Sequence, residues 1–345
     1  MPATLRAARA VHIDAPEKLR LAPVEPRAPG LGEALVEVAW AGICGSDREV
    51  LAGTRPKDFV RYPLIPGHEW SGKVVAVGEP SDAALVGRGV VGEGFRACGR
   101  CPACFRGDSN LCQAEYRETG FTEPGAWATY LTVPARLLHV LPEGSDLRAA
   151  AALEPAACVA AACLKAAVLR GERVAVVGAG TLGLLATQLL RVGEPSKLVV
   201  IDPRRDRAEI ARRCGASECL SPEEAQRRAG QFDVVIEAAG AADTARLAVH
   251  LARRGGRIVL TGIPPASTGE AHGLSPTELV LREITVHTVF GAPSRAWTHA
   301  VRSFGLGVLD PSLVITHEVP LDDVAEAFRI LTDASARAVK VLLRP

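Results

Sequence analysis

The stretch RVAVVGAGTLG, residues 173–183, decides the fold of the second half of this chain. It begins with an apolar run typical of a buried strand, and its glycines follow the pattern G-x-G-x-x-G. The helix-like LLATQLLRV comes next, so strand, glycine turn and helix stand in the order of a dinucleotide-binding βαβ unit. The alternative is a packing turn in another α/β protein. The residues predicted to contact a dinucleotide here are Gly178, Gly180, Thr181, Leu182 and Gly183.

Further strand-like segments continue the same alternation with helices. KLVVID ends at Asp202, and FDVVIEAAG and GGRIVLTG follow. This order predicts a parallel, doubly wound sheet. An acid at position 202 binds both hydroxyls of an adenosine ribose and repels a 2′-phosphate, which favours NAD. Arg204 and Arg205 come just after it and favour NADP if they turn towards the same pocket.

Length and composition limit the possible classes of protein. A chain of 345 residues is expected to form two domains, and 48% apolar with 23% charged residues is globular composition. A formal net charge of +1 gives no reason to expect nucleic acid or an anionic membrane as a partner. The most membrane-like run, residues 149–168, is interrupted by Glu154, Pro155 and Lys165. We expect a buried helix there rather than a membrane span.

The cysteine content and the N-terminus bear on the compartment. MPATLRAARAVHID has no continuous apolar core after its basic residues and makes a poor signal peptide. Nine cysteines form no even framework, which favours a reducing compartment, where clustered thiols more often hold metal than form disulfides. The expected location is the cytoplasm.

Four cysteines lie within CGRCPACFRGDSNLC, residues 98–112. Their pattern is C-x2-C-x2-C-x7-C, and four thiolates at such spacing complete a tetrahedral zinc site with no position left for substrate. Gly99, Pro102, Gly107 and Asp108 are turn formers, as a chain wrapped around an ion requires. An iron–sulfur cluster is the alternative. The predicted ligands of a structural zinc are Cys98, Cys101, Cys104 and Cys112.

A second, sparser set of metal ligands is spread along the sequence. GICGSD carries Cys44, PGHEW carries His68 and Glu69, and LEPAAC carries Glu154 among apolar neighbours. Taken singly, a buried glutamate in an ion pair or a core histidine explains each of them. Together, Cys44, His68 and Glu154 offer one sulfur, one nitrogen and one oxygen, a zinc ligand set with one position left for water or substrate. Such a zinc lowers the pKa of an alcohol, and the alkoxide gives up hydride.

With these motifs in order, from GICGSD through GAGTLG to the closing ARAVKVLLRP, the chain resembles the zinc-dependent medium-chain dehydrogenases nearly end to end. The resemblance implies an α/β protein with a GroES-like β-barrel catalytic domain and a Rossmann domain. The implied divisions are a catalytic domain over 1–150 with a zinc lobe near 96–114, a Rossmann domain over 151–288, and a return to the catalytic domain over 289–345.

The family assigns further roles to single residues. Cys44, His68 and Glu154 are the implied ligands of the catalytic zinc, and Glu69 is an exchanging ligand or a residue behind the ligands. Glutamate at position 154 resembles the polyol and threonine dehydrogenase branch. The remaining implied roles are proton acceptor from the substrate for Ser46, support of the metal site for Asp47, ribose contact for Arg207 and cofactor phosphate contact for Lys340.

Two departures from the family pattern stand out. Relatives place a histidine five residues after the zinc-binding cysteine, where it passes the proton to solvent, and here that residue is Glu49. VFGAPSRAW, residues 289–297, lacks the Arg-Tyr pair of sorbitol dehydrogenases, which argues against sorbitol as substrate. PGHEWSG with HTVFGAPSRAW is similar to bacterial cyclitol and aminocyclitol dehydrogenases. Candidate pocket residues, each with a core or surface position as the alternative, are Phe59, Tyr116, Phe121, Trp127 and Arg295.

The leading hypothesis is zinc-dependent transfer of hydride to NAD from a secondary alcohol of a polyol, cyclitol or aminocyclitol. The alternatives are an NADPH-dependent carbonyl reductase, a threonine-type amino-alcohol dehydrogenase, and a non-catalytic nucleotide-binding module. EITVHTVFG, residues 283–291, reads as an edge strand, which in this family joins its twin in a second subunit. A homodimer or homotetramer is therefore expected.

Overall fold

The computed structural model describes residues 5–78, 80–241, 243–264 and 273–345, which form strands and helices in the following order. The strands are β1 Arg9–Ala15, β2 Lys18–Pro23, β3 Glu33–Gly42, β4 Trp70–Val77, β5 Gly89–Gly92, β6 Tyr130–Pro134, β7 Leu138–Val140, β8 Arg173–Val177, β9 Lys197–Ile201, β10 Glu218–Leu220, β11 Phe232–Glu237, β12 Ala252–Leu260, β13 Thr285–Thr288, β14 Ile315–Pro320 and β15 Lys340–Arg344. The helices are α1 Gly45–Ala52, α2 Pro102–Phe105, α3 Leu147–Ala150, α4 Leu153–Ala166, α5 Thr181–Leu190, α6 Arg207–Arg213, α7 Pro222–Gln226, α8 Thr244–Leu251, α9 Pro276–Leu281, α10 Ser294–Gly305 and α11 Val324–Thr332.

Two compact units divide the chain. The first consists of the chain up to Glu154 together with Ile315–Pro345, and the second is Pro155–Val314. The expected return at residue 289 is therefore too early, since α10 and the segment after it stay in the second unit. Gln188 of α5 explains this, because its side-chain amide exchanges two hydrogen bonds, of 3.1 and 2.7 Å, with the backbone of Asp310.

The first unit is built on a mixed sheet with the strand order β14-β15-β3-β4-β5-β7, and β6 pairs with β3. Its pairs are antiparallel except β14–β15, which is parallel. Its long central strand, β3, buries Ala34, Val36 and Val38, which pack with Trp70 and Trp127 in the core of this unit. The C-terminal strand β15 lies antiparallel to β3, with Leu342 opposite Gly42. The tail of the chain is thereby brought beside the residues that follow β3.

The second unit holds six parallel strands in the order β10-β9-β8-β11-β12-β13. Counted from β8, this is the 3-2-1-4-5-6 order of the dinucleotide-binding sheet. β8, β9 and β11 are almost continuously buried, as expected for parallel strands covered on both faces. The predicted parallel, doubly wound sheet is confirmed.

The alanine-rich run predicted as a helix forms α4, fourteen residues long with Glu154 in its first turn. No helix among the described residues has the length and apolar character needed to cross a membrane.

Candidate active site and metal centres

The first turn of α1 places Cys44 and Asp47 next to each other. Cys44 is the residue at the N-cap, and its backbone N–H donates to Asp47 Oδ2 at 2.8 Å. Asp47 is fully buried, so its carboxylate is fixed by this contact at the positive end of the helix. The spacing in GICGSD therefore has a local structural role, because Asp47, three residues after the N-cap Cys44, caps the first turn of α1.

Three predicted ligands converge in the first unit. One ligand atom from each of Cys44, His68 and Glu69 lies within 4.8 Å of the other two. Cys44 follows β3, whereas His68 and Glu69 directly precede β4, and the pairing of these strands joins them. A Cβ on Gly42 would lie 2.0 Å from Glu69 Oε2, so glycine at position 42 leaves the space that this carboxylate occupies.

This group fits a metal by the chemistry of its donors. A thiol, an imidazole and a carboxylate are a ligand set for zinc. Asp47 Oδ1 and His68 Nδ1 are both buried without a hydrogen-bond partner among the described residues, and they face each other at 3.6 Å. Burial alone would lower the pKa of His68, but Asp47 and then Cys44 hold that pKa well above its ordinary value. The pocket around His68 is thus strongly negative, as a cation site requires.

Lys340 occupies a position that the sequence did not predict. Its buried ammonium donates to both carboxylate oxygens of Glu69, at 2.8 and 2.6 Å, and to the carbonyl of Ile43 at 3.0 Å. Burial alone would lower the pKa of Lys340, and Glu69 with Cys44 and Glu154 holds it above its usual range. The three N–H groups are thus engaged within the first unit, and the predicted contact of Lys340 with cofactor phosphates stays a prediction.

Glu154 is not a member of the group of three whose ligand atoms all lie within 4.8 Å of one another. It lies in the first turn of α4, near enough to contribute to the raised pKa of Lys340. Its role as a zinc ligand stays a prediction. Ser46 is half-buried in the first turn of α1, two residues from Cys44.

A polar wall lies beside His68, and we define it as Arg55, Tyr116 and Glu118. Tyr116 was among the predicted pocket residues, whereas Arg55 and Glu118 were not. The Tyr116 hydroxyl donates to Glu118 Oε2 and receives an N–H from Arg55 at 3.4 Å. The Arg55 guanidinium lies 3.8 Å over the ring of Phe121, whose centroid is 4.7 Å from that of His68. The wall is therefore one ring away from a predicted metal ligand.

The electrostatics of the polar wall are those of a nearly dry site. The side chains of Arg55 and Glu118 are only 12% and 8% exposed. Burial raises the pKa of Glu118, and burial followed by the charge of Glu118 raises that of Tyr116. Glu49, which replaces the family's histidine, faces Arg55 at 3.7 Å. One guanidinium is thus shared between two carboxylates at ion-pair distances without a close bond to either.

Of the other pocket candidates, Phe59 packs edge-on against Tyr116 with ring centroids 4.8 Å apart. Trp127 is fully buried and donates from Nε1 to the carbonyl of Gly42 at 3.1 Å, so it belongs to the core. Arg295 lies in α10 of the second unit.

The four-cysteine lobe brings its thiols together around α2. Cys98, Cys101, Cys104 and Cys112 each place a sulfur within 4.8 Å of the others, and the Cys101–Cys104 and Cys98–Cys104 Sγ distances are 3.5 and 3.9 Å. Zinc with four thiolates requires S···S separations of about 3.8 Å. The N–H of Gln113 lowers the pKa of Cys101 to about 6, and burial raises that of Cys104 to about 11. The lobe fits one tetrahedral ion.

In the second unit the glycine turn has the geometry that its motif demands. Gly178 has φ +105°, which favours glycine, and a Cβ on Gly183 would lie 1.8 Å from the carbonyl oxygen of Gly178. A Cβ on Gly180 would meet nothing within 4 Å, so this glycine leaves the turn open. The first and third glycines therefore serve the packing of helix on strand, and the second permits close approach of a ligand.

Asp202 lies at the end of β9, over the same turn. Its Oδ2 accepts from the N–H of Ala179 at 2.7 Å, and Arg204 holds both of its oxygens at 2.8 and 2.9 Å. Burial alone would raise the pKa of Asp202, but Arg204 and the backbone N–H groups hold it below its usual range. A pocket of about 230 Å³ is lined by Asp202, Arg204, Arg205 and the buried Arg207.

Comparison with known proteins places this architecture in a family. Residues 30–143 match the alcohol dehydrogenase GroES-like domain, and residues 181–304 match the zinc-binding dehydrogenase domain. The chain belongs to the zinc-dependent medium-chain dehydrogenase/reductase family, in its polyol and threonine dehydrogenase-like branch. It is an alcohol dehydrogenase that acts on CH–OH donors, and the predicted fold class and family are confirmed.

Individual relatives cover nearly the whole chain. It is 33% identical to an L-threonine 3-dehydrogenase of Saccharopolyspora erythraea over 94% of its own length and 95% of that protein's length. A structure from Sinorhizobium meliloti, described as a zinc-binding dehydrogenase bound to NADP, superposes with a TM-score of 0.91 at 30% identity, covering 99% and 100% of the two chains. An alcohol dehydrogenase of Escherichia coli in complex with NADH gives 0.90 at 28% identity, covering 98% and 99%.

Proposed function

We propose that this enzyme oxidises a secondary alcohol of a small polyhydroxylated substrate (a polyol, cyclitol or aminocyclitol) to a ketone, with NAD as the hydride acceptor. The observation that carries the proposal is the polar wall one ring away from His68. A wall of guanidinium, phenol and carboxylate suits a substrate with several hydroxyl groups rather than an apolar alcohol.

Each residue of the site has a separate role in the proposed reaction. A zinc held by Cys44, His68 and either Glu154 or Glu69 would supply a Lewis acid that favours the ionised form of the substrate alcohol. Asp47 holds the start of α1 and faces His68, so it fixes the position of the imidazole. Ser46 would accept the substrate's proton. Lys340 holds Glu69 and neutralises its charge.

The proton's exit involves Glu49 in this proposal. Glu49 is half-buried on α1, three residues beyond Ser46, and faces Arg55. In this proposal Glu49, next to the guanidinium of Arg55, takes the place of the histidine that passes the proton to solvent in relatives. Arg55 then belongs both to the polar wall and to the path of the proton.

A threonine-type amino alcohol is the second candidate substrate, because the Saccharopolyspora relative named above is a threonine dehydrogenase. An α-amino acid needs one cationic and one anionic partner, and the polar wall contains both in Arg55 and Glu118. The two substrate classes differ in whether a carboxylate is needed for turnover.

The substrate experiment is reduced-nicotinamide absorbance with zinc-replete enzyme, NAD or NADP, and a panel of linear polyols, cyclitols, aminocyclitols and threonine. We expect turnover with NAD and a cyclitol or aminocyclitol. Turnover with threonine alone would replace the proposal with the second candidate. Arg55→Met, compared with Arg61→Met on the exposed surface, should raise the KM for the active substrate about tenfold or more. An unchanged KM would remove the polar wall from substrate recognition.

NAD is the proposed cofactor because Asp202 stays ionised and faces the nucleotide pocket. Related structures contain NADP in one case and NADH in another, and Arg204 partly neutralises Asp202. The preference of this enzyme for NAD over NADP therefore has to be measured. Affinities for NADH and NADPH should favour NADH, and Asp202→Ala should reverse or remove the preference while Glu224→Ala, at the pocket rim, leaves it in place. A wild-type preference for NADPH would show that Arg204 and Arg205 outweigh Asp202 in the choice of cofactor.

Two zinc ions per chain, a homo-oligomer and a cytoplasmic location complete the proposal. The two ligand groups support two ions, and metal analysis should give about two zinc per chain. β13 is an edge strand of its sheet, with Thr285 and Thr288 exposed, which supports pairing with a second copy. Light scattering that gave a monomer would overturn the oligomer.

A further inference from the structure

A cleft in the first unit, beside the four-cysteine lobe and lined by no residue of the buried metal group or the nucleotide pocket, is rich in arginine. Its volume is about 510 Å³, and it lies between the start of β3, the entry to the zinc lobe, the segment 114–117 and the end of β6. We call it the arginine cleft, defined by its charged lining residues Arg96, Arg100, Arg117, Arg136, Glu33 and Glu115.

The carboxylates at the cleft are already paired. Arg27 holds both oxygens of Glu33 at 2.7 Å, and Arg61 forms an ion pair with Glu115. Four guanidinium groups therefore face two acids that are neutralised by arginines outside the lining. The cleft carries an excess of positive charge.

Most of the lining arginines lack a full charge partner. Arg136 donates to the carbonyl of Ala97 at 2.6 Å, which is an uncharged acceptor, and the guanidinium of Arg100 forms no ion pair within the described part of the chain. Arg117 and Arg96 share one carboxylate, that of Glu123, at 2.7 and 3.3 Å.

Arg96 shows most clearly that a partner is needed. Its side chain is only 6% exposed, yet its Nη2 has no hydrogen-bond partner among the described residues. Nε donates to the hydroxyl of Thr119 at 3.2 Å. Buried charged donors are almost always satisfied, so the guanidinium of Arg96 leaves positive charge incompletely compensated at the inner side of the cleft.

We propose that the arginine cleft binds a small oxyanion with at least two negative charges, such as a phosphate ester or a polycarboxylate. Guanidinium groups bind such oxygens through paired, charge-assisted hydrogen bonds. The bounded volume and the formal net charge of +1 for the whole chain favour a small ligand over an extended polyanion. Cys98 also lines the cleft, which places the ligand next to the first cysteine of the zinc lobe.

The test is calorimetric titration of zinc-replete enzyme saturated with NADH, at low ionic strength, so that the nucleotide pocket is filled. Methyl phosphate is the probe for a phosphate ester and tricarballylate the probe for a polycarboxylate, with chloride at equal ionic strength as the reference. We expect saturable binding of one molecule per chain for at least one probe, and the tighter probe assigns the ligand class. Absence of saturable binding for both would overturn the proposal.

Variants locate the binding site. Arg100→Ala, at an exposed position, and Arg96→Leu should each weaken binding about tenfold or more. Arg106→Ala is the matched control, because Arg106 is an exposed arginine of the same lobe that pairs with Asp108 outside the cleft. Equal weakening in the control, or no weakening with Arg100→Ala, would overturn the assignment. Hydrogen exchange should show protection of 96–100 and 114–117 on binding, and protection only elsewhere would contradict it.

Discussion

The two metal groups of the first unit differ in how their ligands are gathered. The four-cysteine lobe takes its ligands from fifteen consecutive residues, and all four cysteines are half-buried near the surface. The group of Cys44, His68 and Glu69 is collected from two segments joined by strand pairing, and its histidine and glutamate are buried. A local loop can close around an ion, whereas a ligand set open to substrate needs a rigid framework.

Their surroundings differ as well. Backbone N–H groups and neighbouring thiols are the partners of the lobe cysteines. Charged side chains surround the sparser group, with Asp47 behind His68 and Lys340 on Glu69. Backbone donors fix a shape, and charged partners adjust the chemistry of the ligands they touch. From this difference we predict that the lobe serves stability and that the buried group serves the reaction.

Removing a ligand of the buried group should have the largest effect on activity. We expect Cys44→Ser or His68→Ala to lower turnover by at least about a thousandfold, because Lewis-acid assistance contributes several kcal/mol. Circular dichroism and thermal unfolding should stay close to the wild type. Cys214→Ser, at a cysteine outside both groups and outside the lining of the nucleotide pocket, is the control and should keep full activity. Normal rates in the ligand variants would refute the metal assignment.

Removing a ligand of the lobe should have the opposite pattern. Cys104→Ser should lose one zinc per chain and about 3 kcal/mol or more of unfolding free energy, which corresponds to roughly 6–12 °C in Tm. The rate measured well below that Tm should stay within about twofold of the wild type. Turnover lost in the folded variant would mean that the lobe takes part in catalysis.

The next prediction concerns how Lys340 compensates the charge of the buried Glu69 carboxylate. Lys340→Met leaves a buried carboxylate without its cation, and we expect about 3 kcal/mol of destabilisation in thermal or denaturant unfolding. Adding Glu69→Gln removes the unpaired charge and should recover much of the loss. Lys73→Met, on exposed β4 surface, is the control. A double variant no better than the single one would show that the pair does not act as a unit.

The smallest effect concerns the reactivity of the lobe. In chelated protein the pKa of Cys101, held to about 6 by its backbone donors, makes this thiol mostly ionised at pH 7. Its alkylation, followed by mass spectrometry, should slow as the pH falls through about 6 and should stop when zinc is restored. A midpoint near the ordinary value of a cysteine would mean that the lobe loses its structure without the ion.

Several parts of the fold and site were predictable because their signals are local. The glycine turn after β8, the acid after β9 and the cysteine spacing at 98–112 each place chemistry within a few residues of a structural cue. Arg55 and Glu118 escaped prediction, since their contact joins positions far apart in the sequence and neither belongs to a motif. The contact of Lys340 with Glu69 escaped prediction for the same reason, although Lys340 itself was among the predicted site residues.

By itself, the sequence determined the class of protein and the nucleotide fold, and it predicted the thiolate lobe, because short-range order along the chain encodes strand, turn and ligand spacing. Only the tertiary structure decided that Glu69 is held by the C-terminal strand, that Arg55 is shared between Glu49 and Glu118, and that Arg96 is buried with an unmet donor. These outcomes depend on which distant segments pair and on how far each charge is removed from water, and neither quantity is written in local sequence.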